Sequence, residues 1–341
     1  MSGVTAATGD DVRERLGAEV RATYAALLDG ADDVALLDFP NHVNIGDAAI
    51  WAGELAALRA LGVRVAYACD QRSYDPGHLR AALGPRTVIL LHGGGNFGDL
   101  YPRHQRLRER VLADFPDRRT IQLPQSVAHA GAGTAERLRG LAARHRDLHV
   151  LARDRPTQAW FARQAGVEAT LCPDSALALG SLDPGVPRSG ILWLARTDPE
   201  ALPTDAEPPA GVRRGDWPHA GPIWDARRLA SRLASAATSA APAPGRRLWP
   251  VATRLFPRLA AERLRTGAAF VGSARVVVTD RLHAHIVSLL CGVPSVLYDN
   301  STGKVRACYD LWTGGSPLAH WGGTAEEALA TAAALADTAE R

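Results

Sequence analysis

Apolar positions along the chain fall into two alternating patterns. Over 12–28 they recur at helical intervals (Val12, Leu16, Val20, Leu27), the spacing that gathers them on one face of an amphipathic helix. VALLDF at 34–39 is instead a short continuous apolar run and predicts a buried strand. The exchange then repeats. Helices are predicted over 48–61, 103–115, 134–144 and 158–165, and strands over 63–68, 87–91, 120–123, 149–152 and 169–172. Strands alternating with helices of this length predict an α/β fold of βαβ units on a mainly parallel sheet.

The pattern breaks at 180–190, GSLDPGVPRSG, a run of turn formers that reads as a linker. A second half follows, with strands over 191–194, 276–279 and 295–298, helices over 255–267 and 281–290, and an alanine-rich helix over about 324–338. Two irregular stretches, 197–221 and 235–250, predict mobile loops. The chain thus divides into domains at 1–182 and 190–341. Two such halves put a cleft between them, where ligands tend to bind.

Composition narrows the class. Hydrophobic residues at 46% and charged residues at 22% lie in the ordinary globular range. No apolar run approaches the roughly 18–20 residues of a membrane span, and 1–10 lacks a secretory pattern. Cys69, Cys172, Cys291 and Cys308 form no CxxC pair. A reducing cytoplasm therefore fits, and structural zinc and disulfides are not expected. Thirty-nine Lys+Arg against 36 Asp+Glu leave a net charge of +3, too weak to argue for nucleic acid. Lys304 is the single lysine among many arginines. A compact ammonium does work that a planar guanidinium cannot, so Lys304 is either functional or a chance survivor.

Four segments carry candidate chemistry. NHVNIGD at 41–47 offers an amide in Asn44, bare backbone in Gly46 and a carboxylate in Asp47; on these residues alone, Asp47 acting as a helix N-cap explains the segment better, with no ligand needed. LHGGGNFGDLY at 91–101 contains the G-x-G-x-x-G spacing of dinucleotide sites. The next strand ends in QLPQS at 122–126, without the acid that would hold a ribose. What survives is a loop whose glycines, Gly94 and Gly95 among them, admit an anion to backbone N–H groups near a helix start, with His92 and Asn96 as polar neighbours. LARD at 151–154 and LCPDS at 171–175 each end a strand. Arg153 there either clamps a carboxylate or phosphate or pairs with Asp154 or Asp174. The densest segment is VVVTDRLHAHIVS at 276–288. Asp280 reads as an N-cap, with Arg281 and His283 in the first helical turn. His285 falls on the apolar stripe and reads as a core residue, which leaves His283 as the acid–base candidate. Arg281, His283 and Lys304 together make a cationic corner suited to an anionic substrate. No serine-hydrolase elbow, Walker loop or H-E-x-x-H is present, and no metal site is predicted.

An ordered series of segments resembles the polysaccharide pyruvyl transferase family, bacterial exopolysaccharide pyruvyl transferases in particular. The series is NIGDAAI at 44–50, LHGGGNFGDLY at 91–101, QLPQS at 122–126, ARD at 152–154, CPDSAL at 172–177, LARTDPE at 194–200, VVVTDRLHAHI at 276–286 and DNSTGKVR at 299–306. The resemblance implies two Rossmann-like halves facing a cleft, as in GT-B glycosyltransferases. It implies transfer of the enolpyruvyl unit of phosphoenolpyruvate to two hydroxyls of a sugar, giving a cyclic pyruvate ketal and phosphate, without a cofactor. Arg281 and His283 match the family's R-L-H motif, with His283 as proton donor to the methylene carbon. Arg281, Arg153 and Lys304 would hold carboxylate and phosphate. Asp47 or Asp174 would accept a hydroxyl proton. Asn44, Gly94, Gly95, Asn96, Gln125 and Ser126 would bind substrate in the same cleft. The acceptor is a sugar or a lipid-linked oligosaccharide. Thr302 and the Ala128-His129 pair stand where relatives often carry aromatics, which leaves the acceptor's identity open.

Two other readings compete: a GT-B glycosyltransferase using a nucleotide sugar, and a non-catalytic sugar-binding relative. Arg246, Arg247, Leu248, Trp249, Arg254, Leu255, Phe256 and Arg258 mix basic and apolar groups as interfacial segments do. Peripheral contact at the inner face of the membrane follows from that mixture, and an ordinary loop packed on the second domain accounts for it more simply.

Overall fold

The computed structural model describes residues 9–198, 200–240 and 242–338. The first half runs α1 (Gly9–Leu27), β1 (Asp33–Leu37), α2 (Ile45–Ala60), β2 (Arg64–Cys69), α3 (Pro76–Ala82), β3 (Thr87–Leu91), β4 (Gly94–Phe97), α4 (Pro102–Asp114), β5 (Thr120–Val127), α5 (Ala132–Ala142), β6 (Leu148–Ala152), α6 (Arg155–Trp160) and β7 (Ala169–Leu171). The second runs β8 (Ile191–Leu194), β9 (Val212–Gly215), α7 (Pro222–Ala240), α8 (Pro242–Gly272), β10 (Val276–Thr279), α9 (Leu282–Leu290), β11 (Ser295–Tyr298), α10 (Lys304–Cys308), β12 (Ala319–Gly323) and α11 (Ala325–Thr338).

Among the described residues there are two sheets, and every strand pairing in them is parallel. The first has the order β2-β1-β3-β5-β6-β7 with β4 beside β5, and the second the order β12-β11-β10-β8-β9. Burial on both faces explains the unbroken apolar runs. Along β1, Val34 and Leu36 enter one core while Ala35 and Leu37 enter another, the two-residue alternation of a strand covered on both sides.

The strands separate at the predicted linker, but the packing crosses it. Phe256, Leu259 and Ala260 of α8 join the core of the first half, and Phe256 stacks on Phe39 with ring centroids 4.1 Å apart. The expectation of a loop over 235–250 is therefore corrected, since α7 runs to Ala240 and α8 begins at Pro242. Alanine favours the helix there, and proline at a helix start has no N–H to lose. Of the proposed interfacial segment, the side chains of 246–249 lie outside the described residues, and Phe256 is core. The stretch 197–221 is not wholly irregular either, because β9 pairs with β8 and Arg214 lies over the Trp193 ring, 4.2 Å from its centroid.

The glycine run is corrected as well. Gly94–Phe97 is a strand beside β5 rather than a loop at a helix start, and α4 begins only at Pro102. The β5–β6 register shifts between Gln122 and Gln125, the stretch that contains Pro124, which cannot donate to a ladder. Gly93 and Gly98 are needed for space: a Cβ would lie 2.7 Å from the Pro124 carbonyl oxygen at the first and 2.4 Å from that of Ala128 at the second.

Candidate functional site

Strand ends of both sheets meet at a cavity of about 280 Å³. Asn44, Asp47, Gly95, Asn96 and Arg153 reach it from the first half, and Arg281, His283 and Lys304 from the second. Asp174 lies beneath it. Gly94, Gln125 and Ser126 do not line it.

The start of α2 sets the first wall. Asn44 is the N-cap, its Oδ1 accepting from Gly46 N at 2.9 Å, so the cap is not Asp47. Asp47 sits in the first turn, where the helix dipole favours a carboxylate, 3.6 Å from His42 Nε2. Burial would raise its carboxyl group, but His42 and His283 outweigh that and hold it below the ordinary value. Gly46 packs face-on against His283: a Cβ at Gly46 would lie 2.5 Å from His283 Nδ1.

A buried chain of polar groups fixes the opposite side. His283 Nε2 lies 3.3 Å from Asp174 Oδ2, and Arg153 Nη1 donates to that same oxygen at 2.6 Å. Arg153 Nε donates to Ser126 Oγ at 2.8 Å, and the Ser126 hydroxyl donates to Asp154. Arg153 and Asp174 are each 3% exposed. Burial alone would raise the Asp174 carboxyl, but His283 and Arg153 outweigh it and hold the group well below the carboxylate range. Gly95 lets Arg153 and Lys304 close in, since a Cβ there would lie 2.8 Å from Arg153 Nη2 and 3.8 Å from Lys304 Nζ.

The cationic corner is charge-balanced. Lys304 pairs with Glu200. Arg196 donates to both oxygens of Asp198, at 2.8 and 2.9 Å, and lies 3.2 Å from Glu200. Arg281 pairs with Asp216 and, at 3.3 Å, with Asp198. Burial pushes Lys304 down to about 8, with Arg196 and Arg153 adding to the effect and Glu200 opposing it. Arg196, Asp198, Glu200 and Asp216 were not among the expected site residues, although three of them lie in LARTDPE. His42, Tyr101 and His104 also line the cavity unforeseen. His104 Nδ1 lies 2.8 Å from Asp38 Oδ2. Asp38, the residue after β1, has φ +74, the left-handed region that non-glycine residues rarely adopt.

The remaining expected residues serve from behind or alongside. Gln125 is fully buried, and its Nε2 donates to the His92 carbonyl at 2.9 Å and to Asn96 Oδ1 at 3.2 Å. Gly94 has φ +125, and a Cβ there would lie 3.5 Å from Asp47 Oδ1. Ser126 lines an adjoining cavity of about 250 Å³ that shares Gly95 and Lys304. His92 is buried against Glu54, 2.9 Å away. Asp280 does not cap α9: Arg281 is the N-cap, without a side-chain bond, and Asp280 Oδ1 accepts from Arg196 N at 2.9 Å. Burial pushes Asp280 up to about 6. His285 is core, with Ser295 and Thr313 hydroxyls each 2.8 Å from its ring nitrogens. Among the described residues no cluster of His, Cys, Asp or Glu is arranged to hold a metal ion, and no helix is long and apolar enough to cross a membrane.

Parallel α/β sheets whose strand ends gather a histidine and buried, paired cations around one small cavity form an α/β architecture whose chemistry suits a small anionic ligand. The polysaccharide pyruvyl transferase family matches the chain over residues 44–302. Pyruvyl transferase 1 of Schizosaccharomyces pombe is 35% identical over 313 residues, covering 86% of this chain and 73% of that protein. The putative pyruvyl transferase EpsO of Bacillus subtilis is 28% identical over 291 residues, covering 84% and 87%. The fold is shared with a functionally uncharacterised protein from Klebsiella pneumoniae, at TM-score 0.57 and 16% identity, over 90% of this chain and 98% of that one. The chain belongs to the polysaccharide pyruvyl transferase family, and is thereby a transferase of pyruvyl groups in polysaccharide biosynthesis.

Proposed function

We propose that the chain transfers the enolpyruvyl unit of phosphoenolpyruvate to two hydroxyls of one sugar, closing a cyclic pyruvate ketal and releasing phosphate, between two Rossmann-like halves arranged as in GT-B enzymes. The observation that carries this reading is the convergence of His283 with Arg153, Arg281 and Lys304 on one cavity of about 280 Å³. That volume suits a three-carbon phosphate ester.

His283 gives a proton to the methylene carbon, and positive charge develops at C2. The first sugar hydroxyl attacks C2 and loses its proton. Phosphate leaves as hydrogen phosphate, and the second hydroxyl closes the ring. The two hydroxyl protons replace the one given by His283 and the one carried off on phosphate. Arg153, Arg281 and Lys304 hold the carboxylate and phosphate while charge grows on the leaving group. Asp174, committed to Arg153 and His283, orients the imidazole. Asp47, which faces the cavity, takes the hydroxyl proton. All four cysteines are free and buried, which supports a reducing cytoplasm as the setting.

The test is sugar-dependent phosphate release from phosphoenolpyruvate. His283→Ala should lower it by about 10²–10⁴-fold, the worth of a positioned proton donor. No release by the wild type over a panel of galactosides, glucosides and N-acetylhexosamines, with no thermal protection by phosphoenolpyruvate, would remove the donor assignment.

A further inference from the structure

A second, larger cavity of about 760 Å³ lies over the carboxyl ends of β1 and β2 and the first turns of α4. It shares His42, Tyr101 and His104 with the smaller one, so the two adjoin across these side chains. The steps proposed above make no use of it. Its lining carries Arg72, Arg103, Arg106, Arg110 and Arg232 against a single carboxylate, Asp70. Asp70 is already committed: one oxygen accepts from the Ser73 hydroxyl, the other from Asn41 Nδ2 at 3.0 Å and Ser235 Oγ at 2.9 Å.

Among the described residues the guanidinium groups of Arg72, Arg103, Arg106 and Arg232 make no ion pair or hydrogen bond, and Arg110 lies over the Tyr74 ring, 5.1 Å from its centroid. In the neighbouring cavity every arginine and lysine has a carboxylate partner. Arg103, Arg106 and Arg110 of α4 recur at intervals of three and four, on one helix face. The first turn of α4 holds no acid, and Tyr101 caps it without a side-chain bond. Cations at a helix start oppose its dipole, and like charges one turn apart repel. Arg232 Nε is buried without a hydrogen-bond partner; burial first, then Arg228 and Arg72, disfavour its charged form, with Asp70 opposing. A bound anion relieves all of these at once.

We propose that this cavity is the acceptor's anion subsite, and that the sugar enters joined to a phosphate or diphosphate, which the arginines hold while the sugar hydroxyls extend past His42 and His104 toward His283. The inference rests on the pyruvyl-transfer reading for the identity of the small cavity. Nucleoside diphosphate sugars and polyprenyl diphosphate sugars carry the same group.

The test begins with inorganic diphosphate titrated calorimetrically into the protein saturated with phosphoenolpyruvate, so that the donor cavity is filled. The wild type should bind it beside the donor. The triple variant Arg72→Gln/Arg106→Gln/Arg232→Gln should bind it at least about tenfold more weakly, the worth of one charge-assisted bond, with unchanged phosphoenolpyruvate affinity and melting. Equal affinities in the two proteins, or diphosphate displaced by phosphoenolpyruvate, overturn the subsite. Phosphate release is then compared for one sugar in its free, uridine-diphosphate-linked and polyprenyl-diphosphate-linked forms. A preference for one linked form, lost in the triple variant, supports the proposal and names the source. Equal use of the free sugar overturns it, as does consumption of the nucleotide sugar with nucleotide release and no need for phosphoenolpyruvate. A protein that binds no phosphoenolpyruvate fails the pyruvyl reading, while diphosphate binding still reports on the arginines.

Discussion

Alanine in place of Gly46 is the smallest change that reaches His283 without altering its chemistry. Gly46 is the second residue of α2 and its φ is not positive, so the backbone accepts alanine, and a helix interior prefers alanine to glycine by about 0.8–1 kcal/mol. Against that local gain, the new methyl would lie 2.5 Å from His283 Nδ1, 2.7 Å from Cγ and 2.9 Å from Cβ. Ordinary contact begins at 3.4 Å, so the ring must retreat from 2.5 to 3.4 Å, by about 0.9 Å. Its 3.3 Å contact with Asp174 cannot keep its geometry through a shift of that size. A misplacement of about 1 Å in a reacting group can cost about 10²-fold in rate. The kcat for phosphate release from phosphoenolpyruvate should therefore fall by about that factor in Gly46→Ala, with a much smaller change in donor affinity, since Arg153, Arg281 and Lys304 stay in place. In a His283→Gly background the ring and its Cβ are both gone, and the same substitution should leave the residual rate alone and raise the melting temperature. A Gly46→Ala enzyme within about twofold of wild type, or an equal loss in both backgrounds, would sink the reasoning, because contacting residues must couple.

Other perturbations read different parts of the site. Arg153→Ala strands the Asp174 carboxylate in the interior and should cost about 3–5 kcal/mol in urea unfolding, most of it recovered by adding Asp174→Asn; an undiminished loss in the double variant would mean that Arg153 acts through packing instead. Lys304 is charged only below about pH 8, so kcat/KM for phosphoenolpyruvate should fall above that pH, and Lys304→Arg should abolish the alkaline limb; a wild-type profile flat to about pH 10, the ordinary lysine range, would contradict this. Burial pushes His285 down to about 4. The unfolded chain then takes up a proton near pH 6.5 that the folded chain refuses, so stability should drop as pH falls from about 6.5 to about 4. Urea unfolding at pH 7 and pH 5 should show that drop in wild type and a smaller one in His285→Gln.

How much of this was legible depended on the range of the interaction involved. TVILL at 87–91 is the strand β3 residue for residue, because burial on both faces writes itself as an unbroken apolar run. Of the α7–α8 pair only the helix over 255–267 was legible: the prolines of 235–250 read locally as breakers, and α8 packs on α2 and Phe39 across some 200 positions. In the site, Arg281 and His283 could be read because strand, turn and helix follow one another in order. Asn44 and Asp47 both offer an oxygen to the same helix start, and only geometry shows which one caps it. Asp198 and Glu200 have a local partner in Arg196, but what brings them and Asp216 to the site is pairing with Arg281 and Lys304, 65 to 104 positions away.

The two cavities hold cations in opposite states, and that difference has a measurable consequence. In the small cavity each cation already has a carboxylate, so an incoming carboxylate or phosphate substitutes for groups of the same chemistry, and little net charge is neutralised on binding. In the large cavity the arginines have no carboxylate ion-pair partner among the described residues, so an anion bound there adds a new charge pairing. Four of those five arginines are exposed and Arg232 is half-buried. Interactions of exposed charges are screened over about 10 Å at 0.1 M salt and about 3 Å at 1 M, while buried pairs are screened much less. Raising salt across that range should therefore weaken diphosphate binding far more steeply than phosphoenolpyruvate binding. Parallel slopes for the two ligands would mean that both anions meet the same kind of site, and the distinction drawn between exchanged and newly formed ion pairs would not hold.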